Sequence, residues 1–237
     1  MLEQEWVWDE NPDGPPLTVR EALYRRLEAE QEAAADAPAS ATLAERILSL
    51  CDAAAGNLAG LLAGHRDELL DREPGRGEWS LRQTLDHVLL TERRYREQVA
   101  YAVGRADSDP LRRDPVATLS TEERAAGVAG WLEMLRQDRA ATAERLQVPD
   151  MALGRPTIWV GHQVDVRFRL NRFAAHVVEH TIQCEKILAS LQVPRTEARR
   201  IVRGIATVRG LHQQRADRER LRRLDAALAA TAATFAP

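Results

Sequence analysis

The chain has 237 residues, 44% hydrophobic and 29% charged, a composition that suits one globular domain with a sizeable core, or one domain with extensions. Its net charge of −3 exerts no global pull toward nucleic acid or membrane. No apolar run approaches the ~20 residues needed to span a bilayer, and the acidic start Met1–Trp6 lacks the basic-then-apolar form of a secretory signal. Two cysteines, Cys51 and Cys184, are too few for a disulfide framework, so a cytoplasmic, reduced protein is expected. One lysine, Lys186, among 33 Lys and Arg, together with abundant alanine, points by codon usage to a GC-rich bacterial genome.

Residues 1–16 are polar and proline-rich and predict an irregular lead-in. Thr18 with Glu21 forms a capping box that opens a helix to about Ala35, and Asp36–Ser40 breaks it. Thr42 with Glu45 opens the next helix, with Leu43, Ile47, Leu50, Ala54, Leu58, Leu61 and Leu62 at helical spacing. Gly56, Gly60 and Gly64 recur on one face of it. Each weakens a helix by about 1 kcal/mol relative to alanine, so another backbone or a ligand is expected to approach there. Arg72–Glu78 is a loop. Ser80 with Gln83 caps a helix to about Val103, and 104–119, with Pro110 and Pro115, is a long crossover. Ser120 with Glu123 caps a third long helix to Leu146, with Val128, Trp131, Leu132, Leu135 and Leu146 inward. Period-two alternation from Ile158 to Leu170 predicts a short β-hairpin turning near Gly161. Asn171 is the expected cap of a fourth helix ending near Leu191, and helices over 196–213 and 217–235 follow. Four long amphipathic helices with one long crossover make an all-α four-helix bundle, with a small hairpin before the last core helix and extra helical segments at both ends. The division is 1–40, an acidic arm with a short helix; 41–192, the bundle; and 193–237, an Arg-rich helical extension.

His176-Val-Val-Glu-His180 carries the chemistry. Residues four apart share one helix face, so these two imidazoles project together, and neutral imidazole is a ligand for several divalent ions. His87, in the second turn of the Ser80-capped helix, is placed to join them. Val177 stands where a His-Glu-x-x-His zinc protease has its glutamate, which argues against a peptidase.

Gly77-Glu78-Trp79-Ser80, a histidine seven residues later, a gap of roughly eighty to ninety residues and then His176-x-x-x-His180 together resemble the DinB-like (YfiT-type) superfamily, over roughly residues 41–192. The resemblance implies a four-helix bundle whose second and fourth helices supply three histidines, here His87, His176 and His180, to one divalent metal ion. Nickel or zinc comes first, manganese or iron next, with water or substrate completing the shell. It also implies thiol-dependent S-transfer, using a low-molecular-weight thiol, as the first activity to test. Metal-dependent hydrolysis is an alternative, and a non-enzymatic, stress-related metal-binding or interaction protein is another. No catalytic residue beyond the metal set carries over.

Other candidates have plainer readings. Cys184, one turn past His180, and Cys51 read as buried hydrophobes rather than ligands. Glu179 and Asp86 are possible ligand-orienting or proton-transfer groups, but solvated helix charges are the simpler reading. His162 reads as a surface histidine near the bundle mouth, and His65 and His212 as structural or exposed. Trp79 is expected to plug the start of its helix, with Trp131 and Trp159 packing. Residues 1–36 carry ten acids and three Arg, whereas 195–223 carry ten Arg and three acids. With no nucleic-acid motif present, the acidic arm is expected to dock on the basic helices, within one chain or across a homodimer. The expected partner is a small-molecule substrate, not nucleic acid or membrane.

Overall fold

The structure, a computed structural model, describes residues 2–6, 13–40 and 42–225. A two-residue strand β1 (Glu5–Trp6) pairs antiparallel with β2 (Leu17–Thr18) and leads into α1 (Val19–Asp36). Then come α2 (Leu43–Leu62), α3 (Leu81–Gly104), the short α4 (Thr121–Ala125), α5 (Val128–Arg145), strands β3 (Pro156–Trp159) and β4 (His162–Asp165), α6 (Val166–Ser190) and α7 (Glu197–His212). Each of the four expected capping boxes forms, at Thr18, Thr42, Ser80 and Ser120. In each, the hydroxyl accepts from the backbone N–H three residues on, and the Glu or Gln there reaches back, satisfying two donors at the helix start.

The bundle is a ring in which α2 packs on α6, α6 on α3, α3 on α5 and α5 on α2. Leu58, Leu85, Leu89, Trp131, Leu170 and Phe173 fill its centre, all essentially removed from solvent. Burial of each such side chain contributes about 1.5–3 kcal/mol. The crossover between α3 and α4 is held by the hairpin region: Arg155 donates to Ala102 O and Arg105 O, and Thr157 to Leu111 O. No helix among the described residues is long and apolar enough to cross a membrane.

Two boundaries differ from the sequence reading. The hairpin forms, paired from Pro156–Asp165 to Trp159–His162 with its turn at Val160–Gly161, but its second strand stops at Asp165. That side chain accepts from Phe168 N at 2.7 Å and starts α6 there. Asn171 is therefore inside the helix and donates to Arg167 O. The alternating stretch was ambiguous because Val166, Arg169, Leu170 and Phe173 also lie on one buried helical stripe. The third long helix is broken at Ala126–Gly127. Asp67, from the loop after α2, accepts from Val128 N at 2.7 Å and occupies the space a side chain at Gly127 would need. The helix expected over 217–235 forms over the described part of that range, 218–225; the rest lies outside the described residues.

Gly56 and Gly60 do meet another backbone. A Cβ on Gly56 would lie 2.1 Å from Ala206 O of α7, and one on Gly60 2.6 Å from Arg203 Cα. Gly210 answers from α7, where a Cβ would fall 2.2 Å from Asp52 O. Gly64 takes no part in this contact: it follows the end of α2 at φ +70 with open space around it. Outside α7 lies α1 of the same chain, where Glu30, 1% exposed, receives Arg209 at 2.6 Å and His212 at 2.8 Å. Asp36 pairs with Arg220, while Arg20 with Glu197 reverses the sense of the charge pairing. His212 is thus structural, fully buried against an acid.

Candidate metal centre

His87 is carried by α3 six residues past its first residue, and His176 and His180 lie one turn apart on α6, which packs against α3. The Nε2 atoms of His87 and His176 are 3.1 Å apart, as are those of His176 and His180. All three histidines offer a ring nitrogen within 4.8 Å of one another. Two ligands of one ion with bonds of about 2.1 Å would lie about 3.0 Å apart at a right angle and about 3.4 Å apart at the tetrahedral angle. The two 3.1 Å spacings fall between these limits, so each of these pairs suits two ligands of one ion, with the third pair inside 4.8 Å.

Protonation favours the same role. Burial, then the neighbouring His180 and His87, push the His176 imidazole down to about 3. His87 is also lowered, by burial first, then by His180 and Arg94. Both rings therefore keep a free lone pair at neutral pH, the form a metal requires. His180 is oriented by Gln183, whose Oε1 lies 2.8 Å from Nδ1. The hydrogen-bond pattern puts the proton on Nδ1 and leaves Nε2 facing the other two rings. An ion held by three such side chains would have positions left for water or substrate.

The triad lies between two surface grooves that meet at Trp79. One, of about 520 Å³, is lined by Gln83, His87, Leu90, Arg94 and Arg124 as well as Trp79; the other runs past Glu78, His180, Gln183 and Lys186. Trp79 does not plug the helix start as expected. It is 43% exposed, and its ring stands 5.3 Å from that of His87. On the inner side, the Tyr95 ring lies 5.7 Å from His176 and carries the buried Arg169 guanidinium on its face at 4.1 Å.

None of the other candidates joins the ligand group among the described residues, although Asp86 lines the same groove as His87. Cys184 is fully buried, its thiol pushed up to about 12 by burial, so it is protonated and packed. Cys51 is likewise buried and raised. Asp86 pairs with Arg124 at 2.9 Å, Glu179 is exposed 3.6 Å from Arg172, and His162 is exposed on β4. His65 is half-buried beside Arg199.

Sequence reasoning missed Gln183 and Tyr95, whose positions three residues after His180 and two turns after His87 were available as hints. It also missed a buried ionic network behind the site. Arg139 of α5 donates to Asp52 of α2 at 2.8 Å and Glu92 of α3 at 2.6 Å, all nearly solvent-free. The available signal was an acid on each apolar helix stripe, beside Cys51 and Leu89.

Comparison with known proteins agrees with this architecture. The profile of the DinB superfamily matches residues 50–184, a span of more than half the chain that contains His87, His176 and His180. Among solved structures, the chain is similar in fold to YfiT from Bacillus subtilis, with a TM-score of 0.53 and 15% identity, covering 65% of this chain and 91% of that one. That protein is described as a probable metal-dependent hydrolase with an unusual four-helix bundle topology. No curated protein sequence matches. By the profile match, and by the bundle that carries the matched residues, the chain belongs to the DinB superfamily.

Proposed function

We propose that this protein is an enzyme that holds one divalent metal ion on His87, His176 and His180 and directs a nucleophile at a small electrophilic molecule. The observation that carries the reading is the convergence of three Nε2 atoms, two of the pairs at 3.1 Å, at the junction of two open grooves. A divalent ion in such a site supplies Lewis acidity and lowers the pKa of a coordinated water or thiol toward neutrality. Gln183 holds the His180 ring in the ligating tautomer. Trp79 and Leu90 form an apolar wall beside His87, and Arg94, two turns further along α3, presents a cation to an anionic part of the substrate.

Two nucleophiles follow from different observations. The family resemblance favours a low-molecular-weight thiol and S-transfer. The fold likeness to a protein described as a probable metal-dependent hydrolase favours water.

Metal analysis of the purified protein beside His176→Ala and His87→Ala tests the site. About one divalent ion per chain in wild type, with both variants depleted, supports it. His87 is only half-buried, so its variant also answers if His176→Ala fails to fold. No metal in wild type after reloading with nickel, zinc or manganese overturns the reading. With metal established, an electrophile consumed only with added thiol selects transfer, consumption without thiol selects hydrolysis, and no consumption under either condition marks a non-enzymatic metal-binding protein.

A further inference from the structure

The Arg-rich end of the chain builds a second cavity that the metal site does not use. It has a volume of about 210 Å³ and lies where the end of α2, the last turns of α6 and the first turns of α7 meet. Leu61, Leu188, Val193 and Pro194 form an apolar wall, and Arg195, Arg199, Arg200 and Arg203 form the rest with His65 and Glu185. Glu185 follows His180 by five residues, which places the two about 140° apart around α6. The cavity therefore opens on a different face of that helix from the histidine cluster.

Its charges do not balance. Glu185 is engaged by Arg203, which also donates to Asn57 at 2.7 Å. Arg199 is half-buried and meets only neutral acceptors: the His65 ring at 2.8 Å, Gly64 O at 3.3 Å and Ala63 O at 3.4 Å. His65 is itself held below its ordinary pKa by burial and then by Arg199, so it stands beside Arg199 as a neutral ring. Arg195 and Arg200 are exposed at the rim, and among the described residues neither has an ion pair. Farther along, Arg209 and Arg220 each have a carboxylate. Three guanidinium groups without acids thus surround one cavity with an apolar wall. Their planar donor forks match phosphate and carboxylate oxygens, and the positive end of α7 adds to the same field.

We propose that this cavity binds a small organic anion. A phosphate or carboxylate group would sit on Arg195, Arg199 and Arg200, and a compact apolar body would lie against Leu61, Leu188, Val193 and Pro194. The site is independent of the metal centre.

Calorimetric titration of the full chain at low salt, with phenyl phosphate as probe and inorganic phosphate and phenol as its two halves, tests this. The expected result is saturable binding of phenyl phosphate, weaker binding of inorganic phosphate and none of phenol. Replacing the two exposed residues together, Arg195→Ala with Arg200→Ala, should weaken phenyl phosphate binding by about tenfold or more without lowering Tm. His87→Ala should leave it unchanged. Four results overturn the proposal. These are no saturable binding, binding indifferent to the Arg replacements, binding lost with His87→Ala (which would put the anion on the metal), and strong salt-dependent oligonucleotide binding without phenyl phosphate binding.

Discussion

Replacing Arg139 with Met isolates the electrostatic frame of the bundle. Arg139 is one cation between two carboxylates, and its guanidinium also lies 5.8 Å from the Phe173 ring, so the network touches α2, α3, α5 and α6. With two acids and one base, the cation cannot fully offset burial, and burial holds both Asp52 and Glu92 above the usual carboxylate range. Thr142 Oγ1 is 2.6 Å from Glu92 Oε1 and 2.9 Å from Asp138 O. Its single hydroxyl proton can serve one of these at a time. Methionine keeps much of the volume but strands two buried acids, and breaking a buried pair in this way costs about 3–5 kcal/mol. The loss must depend on pH. Without Arg139 the folded-state pKa values of both acids rise further, and each added unit costs about 1.4 kcal/mol once the pH exceeds it. An acid whose folded pKa exceeds its unfolded value destabilises progressively as pH rises from the unfolded to the folded pKa. Urea unfolding of wild type and Arg139→Met at pH 5 and pH 8 should therefore show the full loss at pH 8 and about half or less at pH 5, with slopes unchanged. Adding Glu92→Gln should recover part of the loss at pH 8. A loss below about 1 kcal/mol, or one equal at both pH values, would refute the argument.

Other consequences can be checked on the same protein. Gly210→Ala drives a methyl group into Asp52 O and should lower stability by about 1–3 kcal/mol in thermal unfolding. Gly204→Ala, whose nearest neighbour is a Leu27 methyl at 3.8 Å, should be neutral or stabilise by up to about 1 kcal/mol. Gln183→Leu removes the acceptor that orients His180 and should lower metal affinity about 10–100-fold in a chelator competition, with Tm of the metal-free chain little changed. Glu30 is raised by burial, but His212 and Arg209 outweigh this and its folded pKa lies below the ordinary 4.5. Its stabilising contribution is therefore present above that pH and lost as pH falls through the folded value, so Glu30→Gln should flatten the acid side of the stability profile.

The helix starts were legible because capping is local. At Thr18, Thr42, Ser80 and Ser120 both partners of the box lie three residues apart, so a window of four residues contains the whole interaction. The shared helix face of His176 and His180 was legible for the same reason. Where two local readings competed, as at Val164–Leu170, alternation favoured a longer strand, and only the Asp165 cap and the buried stripe of α6 decided for helix. The break at Gly127 was invisible because its cause, Asp67, is 61 residues away from the N–H it accepts. The same holds for Arg139 with Asp52, 87 residues apart, and Glu30 with His212, 182 apart. Local sequence thus determined the helices, the apolar stripes and one pair of the histidines. Tertiary packing alone decided which buried charges meet, how closely α7 lies on α2, and that His87, 89 residues before His176, comes within 3.1 Å of it, because such distances depend on how helices cross and not on any property of the residues taken in order.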